Sequence, residues 1–213
     1  RADLILVTGD PTKNITDTRN IEVIWKNGYQ FKRVKTVSDS AEVAALPATT
    51  LISDFEDGKI SSQYGDGWHI TTDKQMGGES VADIKPVSDG AQNSKGALEI
   101  TGEIKAGFAY PWAGVFFAPG TKAMQAINYS QSNELVFWIK GDGRSYSVMT
   151  FSGAQSGGIA PSQSFKTTDT WQEVRLPLSG FEGLDLSQVT GFSFNASAPE
   201  GKFRFAIDNV EIK

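Results

Sequence analysis

The chain has 213 residues, of which 39% are hydrophobic and 21% are charged, and its formal net charge is −5. These values are typical of a globular protein. The acidic balance and the lack of a basic stripe exclude nucleic acid as an expected partner. No apolar run approaches the roughly 18 residues of a membrane-spanning helix. The absence of cysteine excludes disulfides and thiol catalysis, and the single histidine, His69, excludes a zinc site built from several histidines.

The first part of the chain predicts three short strands. Ala2-Asp3-Leu4-Ile5-Leu6-Val7 is predicted to be a buried strand that ends at the turn Thr8-Gly9-Asp10-Pro11, and Ile21 to Lys26 forms a second strand-like run. Asn27-Gly28 is a strong signal for a two-residue hairpin turn, so Tyr29 to Lys32 is the expected returning strand. So small a sheet seldom stands alone, and an unpaired edge invites strand addition. We therefore expect these strands either to pack on the rest of the chain or to form a dimer.

The order and spacing of these N-terminal motifs are specific. The motifs are Ala2-Asp3-Leu4-Ile5-Leu6-Val7-Thr8-Gly9-Asp10-Pro11, Ile15-Thr16-Asp17-Thr18-Arg19-Asn20-Ile21 and Val23-Ile24-Trp25-Lys26-Asn27-Gly28. Together they resemble the C-terminal end of metal-dependent amidohydrolases of the imidazolonepropionase type, over residues 2–33. A generic β-hairpin arm is the alternative interpretation.

That resemblance implies that residues 1–33 are the C-terminal remnant of a small β-domain, which in that family lies beside a TIM barrel. It implies a hydrolase parent, whose metal-binding residues lie upstream in the barrel and are not in this chain. The chain begins at Arg1 without a methionine, so we interpret it as a fragment of a longer protein. We expect a periplasmic or secreted bacterial parent, and the rest of that parent as a partner.

Residues 34–50 are small, polar and alanine-rich, with Pro47 near their end. Such a composition is typical of a linker. We therefore predict a domain boundary near Pro47 and a second domain over residues 51–213.

The second domain has the pattern of an all-β protein. About eight to ten short runs with strand-like alternation follow one another, separated by glycine-rich turns, which predicts a β-sandwich of jelly-roll type. The clearest run is Glu134 to Lys140. Gly141-Asp142-Gly143 follows it as an expected hairpin turn, and Ser145 to Phe151 is the expected returning strand. Leu51 to Phe55 and Ala206 to Ile212 are predicted to be the first and last strands, lying side by side.

Seven motifs of this domain occur in a characteristic order. They are Asp54-Phe55-Glu56, Met76-Gly77-Gly78-Glu79-Ser80, Gly102-Glu103-Ile104, Gly107-Phe108-Ala109, Lys140-Gly141-Asp142-Gly143-Arg144-Ser145-Tyr146, Trp171-Gln172-Glu173-Val174 and Ile207-Asp208-Asn209-Val210. Together they resemble the complex I intermediate-associated protein 30 family. The resemblance implies a galactose-binding-like jelly-roll sandwich, similar to family 11 carbohydrate-binding modules, here with an N-terminal β-hairpin appendage. Tyr110-Pro111-Trp112 departs from the assembly-factor pattern and favours the carbohydrate-module branch.

Four carboxylates at the two ends of this domain are candidate ligands of a structural Ca²⁺. Ca²⁺ takes six to eight oxygen ligands, and in galactose-binding-like sandwiches it often ties the loop after the first strand to the last strand. The candidates are Glu56, Asp208, Asp54 and Asp57. Strand alternation would put Asp54 and Glu56 on one side. The alternative is that these are solvated charges at strand ends.

A carbohydrate ligand needs aromatic faces for the sugar rings and polar groups for the hydroxyls. The candidates are Trp68, Tyr110, Trp112 and Tyr146, with Arg144 and His69 as polar partners. Packing in the core or at its rim is the alternative for each aromatic residue.

Three functions remain open. The first hypothesis is a non-catalytic accessory module at the C-terminus of a metal-dependent amidohydrolase, which binds a carbohydrate or protein ligand. The second is a protein-interaction or assembly module of the complex I intermediate-associated type. The third, a catalytic fragment, ranks last, because the barrel ligands are missing and no Gly-x-Ser-x-Gly motif supplies a nucleophile.

Overall fold

The computed structural model describes residues 3–19, 21–31, 43–122, 124–153 and 160–213. The chain divides into two compact units, Arg1–Ser40 and Ala41–Lys213. Residues 34–42 of the expected linker lie outside the described ranges. Residues 43–50 belong to the second unit, because the Ala44 backbone N–H donates to the Ala126 carbonyl at 2.9 Å. Pro47 therefore lies within the second unit.

The first unit is a three-stranded antiparallel sheet. Its strands are β1 (Leu4–Val7), β2 (Ile21–Lys26) and β3 (Tyr29–Phe31), in the order β1-β2-β3. Asn27 and Gly28 connect β2 to β3 with φ values of 54° and 82°, which is the left-handed geometry of a tight hairpin turn. The three predicted strands and the turn are confirmed. Leu4 and Ile5 are 59% and 61% exposed, so the prediction that the first strand is buried is wrong.

The second unit consists of two antiparallel sheets. One has five strands in the order β11-β10-β13-β8-β5. These are β5 (Gly67–Thr72), β8 (Trp112–Ala118), β10 (Ser145–Ser152), β11 (Ser162–Lys166) and β13 (Val189–Ser197). The other has six strands, with the order β12-β9-β14-β7-β6 and β4 also paired to β14. These are β4 (Leu51–Ser53), β6 (Val81–Val87), β7 (Ala97–Ile104), β9 (Glu134–Gly141), β12 (Gln172–Pro177) and β14 (Gly201–Ile212).

The core of the second unit lies between its two sheets. Phe117 and Phe194 of the five-stranded sheet and Phe137 and Phe205 of the six-stranded sheet are at most 1% exposed, and the rings of Phe137 and Phe194 meet edge to face at 5.0 Å. Burial of each such ring contributes about 1.5–3 kcal/mol. The predicted all-β sandwich is therefore confirmed.

Helical structure is minor. Within the described ranges it consists of four short 3-10 helices, at Ile15–Arg19, Asp73–Met76, Leu178–Gly180 and Leu186–Gln188. None of these has the length and apolar character needed to cross a bilayer.

The first and last strands of the second unit lie side by side, as predicted. Ser53 of β4 pairs with Val210 of β14, and Leu51 pairs with Glu211. On this edge β14 pairs with β7 as far as Ile207 and then with β4. A bulge between Asp208 and Glu211, in the pairing of β14 with β9, accompanies the change of partner, and Asn209 within it has a φ of 46°.

The hairpin predicted for residues 134–151 is wrong. β9 pairs with β12 and β14, whereas β10 pairs with β11 and β13 in the opposite sheet. Residues 142–144 therefore carry the chain from one sheet to the other. The Asp142 carboxylate accepts the backbone N–H groups of Arg144 and Arg204 at 3.1 and 3.0 Å. Gly-Asp-Gly thus specifies a sharp change of direction, while the choice of partner strand depends on distant residues.

Candidate functional site

The side of the five-stranded sheet that points away from the core carries a row of small polar side chains, of which Thr71 and Ser147 are partly exposed and Ser193 and Asn195 are buried. Along β8, Ala113, Val115 and Phe117 are fully buried in the core, so alternation turns Trp112, Gly114 and Phe116 to the other side. The neighbouring strands place further residues in register beside them. We call this side the outer face and define it by Thr71, Trp112, Gly114, Phe116, Ser147, Phe151, Ser193 and Asn195.

The middle of the outer face is uncharged, and we call it the floor. Thr71, Gly114, Asn195 and Ser147 lie in register across four strands. Asn195 is only 2% exposed, and its Oδ1 accepts the Ser193 hydroxyl at 2.8 Å, so Thr71 and Ser147 are the polar groups of the floor that a ligand can reach. A Cβ atom on Gly114 would lie 2.0 Å from the Phe194 carbonyl oxygen, so this position of the floor has room only for glycine.

Aromatic side chains border the floor on two sides. On one side the rings of Phe116 and Phe151 meet edge to face at 5.7 Å. On the other, the Trp112 ring lies 6.0 Å from that of Phe108, and the Trp112 indole N–H donates a long hydrogen bond of 3.4 Å to the Thr71 hydroxyl. Trp112 and Phe116 are four residues apart on β8, which corresponds to roughly 13 Å. The outer face therefore combines apolar ring surfaces with polar groups at a spacing that suits an extended ligand.

The predicted ligand residues divide into two groups. Trp112 lies on the outer face and is partly exposed, and Tyr110, in the loop before β8, is 71% exposed. His69 is exposed on β5 beside Phe116 and pairs with Asp66 at 3.1 Å. These three remain candidates.

Trp68 and Tyr146 must be removed from the ligand set, because both lie in the core. Trp68 is 6% exposed, and its indole N–H donates to the Ser53 hydroxyl at 2.8 Å. Tyr146 is 2% exposed and its ring packs at 4.5 Å against Phe205. Burial raises the pKa of the Tyr146 hydroxyl, which donates to Asp142 at 2.8 Å.

The Arg144 side chain donates its hydrogen bonds to backbone carbonyls, so it is not available to a ligand as predicted. Its guanidinium donates to the carbonyls of Ser197 and Lys202 at 3.0 Å each, and also to that of Pro199. Arg144 therefore fastens the connection between β13 and β14.

Phe116, Phe151, Ser147 and Asn195 were missed from the sequence. Phe116 and Phe117 are consecutive, so hydrophobicity alone does not tell which ring faces the core. Serine and asparagine carry no distinctive sequence signal. Their shared surface appears only when β8, β10 and β13 are placed side by side.

Of the four candidate calcium ligands, the structure brings Glu56 and Asp208 together. Glu56 Oε1 accepts the Ser94 hydroxyl at 2.6 Å and the Lys95 backbone N–H at 2.7 Å. Asp208 accepts the backbone N–H groups of Ala91 and Asn209 at 2.8 and 2.7 Å.

The two carboxylates, Glu56 and Asp208, lie close together, and no basic side chain among the described residues forms an ion pair that would neutralise them. Asp208 is fully buried. Burial raises the pKa of Asp208, hydrogen bonds from Ala91 and Ser94 oppose this, and the charge of Glu56 raises it further. Hydrogen bonds from Ser94 and Lys95 hold the pKa of Glu56 below its ordinary value. Two carboxylates and nearby backbone carbonyls are chemically suited to Ca²⁺.

Asp54 and Asp57 belong to their own turn. β4 ends at Ser53, and Phe55 has a φ of 52°, so the expected alternation of Asp54 and Glu56 on one strand face does not occur. Asp54 accepts the Glu56 backbone N–H at 3.3 Å, and Asp57 accepts that of Lys59 at 2.9 Å. Within the described ranges, no cluster of three or more acidic or histidine side chains is suited to a metal ion.

A hollow of about 310 Å³ lies on the solvent side of the six-stranded sheet. Four of its six charged residues form ion pairs: Glu99 pairs with Arg204 and with Lys85 at 2.9 Å, and Lys140 pairs with Asp89. Burial alone would raise the pKa of Glu99, but its hydrogen bonds to Lys85 and Arg204 outweigh this and lower the pKa. We interpret these residues as a charge network that stabilises the sheet.

Comparison with known proteins identifies the family. The family model of complex I intermediate-associated protein 30 matches residues 53–190. The chain belongs to this family. The family match confirms the resemblance that the sequence motifs of the second unit indicated. No curated protein matches the sequence significantly.

Solved structures show the fold of this family member. The family 11 carbohydrate-binding module of the Clostridium thermocellum cellulosomal cellulase Lic26A-Cel5E is 17% identical, with a TM-score of 0.58, over 78% of this chain and 95% of that module. The family 11 module from Clostridium thermocellum in complex with a β-1,3-1,4-mixed-linked tetrasaccharide is 18% identical, with a TM-score of 0.55, over 76% and 94%. An exo-β-agarase is 16% identical, with a TM-score of 0.54, over 78% of this chain and 25% of the enzyme. At these identities the likeness establishes the galactose-binding-like fold alone.

Proposed function

We propose that the second unit is a non-catalytic carbohydrate-binding module whose ligand lies across the outer face. The observation that carries this proposal is the uncharged floor between the rings of Trp112 and Phe116, where the side chains of Thr71 and Ser147 are partly exposed and that of Asn195 is buried between them. Sugar rings have apolar C–H faces that pack on aromatic rings, and hydroxyls that can bond to serine and threonine side chains. Binding sites of this kind combine apolar surface with a few polar groups that fix orientation.

The ligand we expect is a neutral polysaccharide chain. The floor carries no charge, so it offers no partner for a carboxylate or sulfate group. The fold is shared with a family 11 module that was solved in complex with a β-1,3-1,4-mixed-linked tetrasaccharide, which supports an extended glycan as the first ligand to test.

The test is affinity electrophoresis and calorimetry of the whole chain with mixed-linkage β-glucan, soluble cellulose derivatives and agarose. Trp112→Ala should weaken binding by about tenfold or more, because one central aromatic contact commonly supplies that much affinity. Trp171→Ala is the matched control. Trp171 is a partly exposed tryptophan that lies under Lys140 and before β12 of the other sheet. Its replacement should leave binding unchanged, and equal losses for both variants would contradict the proposal.

The family match favours a second candidate function, a protein-interaction or assembly module of the complex I intermediate-associated type. In that case the chain would bind no polysaccharide and would retain a defined protein partner in a pull-down. Replacement of Trp112 would then affect the protein complex alone.

We also propose that Glu56 and Asp208 hold a structural Ca²⁺. Their side chains, both close to Ser94, connect the loop after β4 to the bulge of β14. A bound cation would neutralise two carboxylates in that position and join the first and last strands. Its contribution would be to stability, with no catalytic step.

For the first unit we propose the C-terminal remnant of an amidohydrolase small β-domain, over residues 1–33, in a periplasmic or secreted bacterial protein. The sequence resemblance over residues 2–33 and the exposed apolar strand β1 support this. The rest of the parent enzyme, or a second copy of the chain, would then cover β1. The sequence upstream of Arg1 tests the proposal, because the metal-ligating histidines of the barrel should be encoded there.

A further inference from the structure

A loop rich in aromatic residues connects β7 to β8 at one end of the outer face. It spans residues 105–111 and carries Phe108 and Tyr110, and it leads directly into Trp112. The ring contact between Phe108 and Trp112 makes the loop and the first residue of β8 one aromatic cluster. We call residues 105–112 the aromatic loop.

Both ends of the aromatic loop are bound to the same buried pair, Asp73 and Ser80. Each of the two residues is 0% exposed. Asp73 Oδ1 accepts the Ser80 backbone N–H at 2.9 Å, and Oδ2 accepts the Ser80 hydroxyl at 2.6 Å. Asp73 Oδ2 also accepts the Trp112 backbone N–H at 3.3 Å, while the Ser80 hydroxyl accepts the Lys105 backbone N–H at 3.1 Å.

The two glycines before Ser80 allow this pair to form. Gly77 has a φ of 93°, a left-handed value that favours glycine. A Cβ atom on Gly78 would lie 2.3 Å from Asp73 Cγ. The motif Met76-Gly77-Gly78-Glu79-Ser80, which the sequence singled out, therefore folds tightly around the Asp73 carboxylate.

We infer that Asp73 and Ser80 are positioning residues that hold the aromatic loop, and Trp112 in particular, in the geometry that binds a sugar ring. This inference rests on the proposed carbohydrate function. Neither side chain reaches solvent, so neither contacts the ligand itself. They act through the backbone of Lys105 and Trp112, and the hydroxyl of Thr71 orients the indole from the other side. Preorganisation of this kind raises affinity because less conformational freedom is lost on binding.

The test compares two serine-to-alanine variants of the whole chain. Ser80→Ala removes the hydroxyl that links the loop to Asp73. Ser53→Ala is the matched control, because Ser53 is 1% exposed and its hydroxyl also bonds two groups, the Trp68 indole and the Ser61 carbonyl. Both variants should lose stability. Ser80→Ala should also weaken polysaccharide binding by about tenfold, as expected for one lost buried hydrogen bond, and Ser53→Ala should not.

A double-mutant cycle with Trp112→Ala separates positioning from general destabilisation. Ser80→Ala should add no further loss of affinity once the indole is absent. Asp73→Asn, which keeps one acceptor oxygen, should behave like Ser80→Ala and should speed amide hydrogen exchange at Lys105 and Trp112.

The outcomes distinguish failure of the positioning role from failure of the proposed carbohydrate function. If Ser80→Ala and Ser53→Ala have the same effect on affinity, or if the Ser80→Ala loss persists in the Trp112→Ala background, the positioning role is overturned and the proposed function stands. If the wild-type chain binds no polysaccharide, both are overturned.

Discussion

Asp208 is fully buried at the point where β14 changes partner from β7 to β4. Its backbone hydrogen bonds stabilise the charged form, while burial and the neighbouring Glu56 disfavour it. A cation shared by the two carboxylates would remove this conflict. The Ca²⁺ that we propose would therefore be bound by Asp208 and Glu56, and it would stabilise the fold.

We predict that millimolar Ca²⁺ raises the melting temperature of the wild-type chain over that in chelator. A ligand at about 100 times its Kd adds roughly 2.7 kcal/mol, which corresponds to a rise of about 5–10 °C for a protein of this size. Asp208→Asn should abolish the rise. Asp57→Asn is the control and should retain it, because Asp57 binds only its own turn. Differential scanning calorimetry measures both, and a Ca²⁺ response that survives in Asp208→Asn would exclude the site.

Glu99 carries a stability contribution that depends on pH. Its hydrogen bonds to Lys85 and Arg204 lower its pKa below the ordinary value of 4.5 in the folded state. A carboxylate with a lowered folded pKa stabilises the fold above its unfolded pKa, and this contribution is lost as the pH falls through the folded value. The difference in unfolding free energy between wild type and Glu99→Gln should be constant near neutral pH and shrink below about pH 4.5. Urea unfolding at a series of pH values measures it, and a difference independent of pH would contradict the assignment.

At the scale of single residues, the sequence indicated which side chains were candidates and left their direction open. Trp68 and Trp112 both lie at the start of a strand, Trp68 in β5 and Trp112 in β8. Trp68 points into the core and Trp112 onto the outer face, and the difference follows from the register of β5 on β8. Because β8 has apolar residues on both sides, hydrophobic alternation could not fix that register.

At the scale of elements, most strands and both ends of the second unit followed from alternation and turn residues. The pairing of β4 with β14 was predicted because each is an apolar run beside an acidic cluster. The predicted hairpin of β9 and β10 was wrong because a turn motif is local, whereas each of these strands already has two partners in its own sheet. Local chemistry specifies where a strand ends, and long-range packing decides which strand it joins.

Strand β1 is the element most open to association. It is an edge strand of four apolar residues, without the charges that usually protect an edge. We predict that the whole chain dimerises by pairing of β1 with β1 of a second copy. Light scattering after gel filtration should give twice the chain mass for the wild type.

Introducing lysine residues into β1 tests whether this edge strand forms the dimer. Leu4→Lys combined with Leu6→Lys should give the monomer mass, because both positions are about half exposed and lysine disfavours edge pairing. Lys13→Glu, a charge change at an exposed residue outside the strand, should leave the dimer intact. A monomeric wild-type chain would contradict the predicted strand addition.

At the scale of the whole molecule, the chain consists of two units with separate structural characters. The first is a small sheet with exposed apolar residues, and the second is a complete sandwich with its own core. The family match lies within the second unit. Carbohydrate binding, protein binding and cation binding are therefore hypotheses about residues 41–213, and the amidohydrolase relationship is a hypothesis about residues 1–33.

The pairing of β4 with β14 has a consequence for protein architecture. The Ile212 backbone N–H donates to the Thr50 carbonyl at 2.9 Å, so the sandwich begins and ends at neighbouring points. A unit whose entry and exit coincide can be added to a polypeptide, or inserted within one, without separating the segments on either side. We therefore expect such a sandwich to tolerate insertion into a host protein, because the host needs to supply only two adjacent points of attachment.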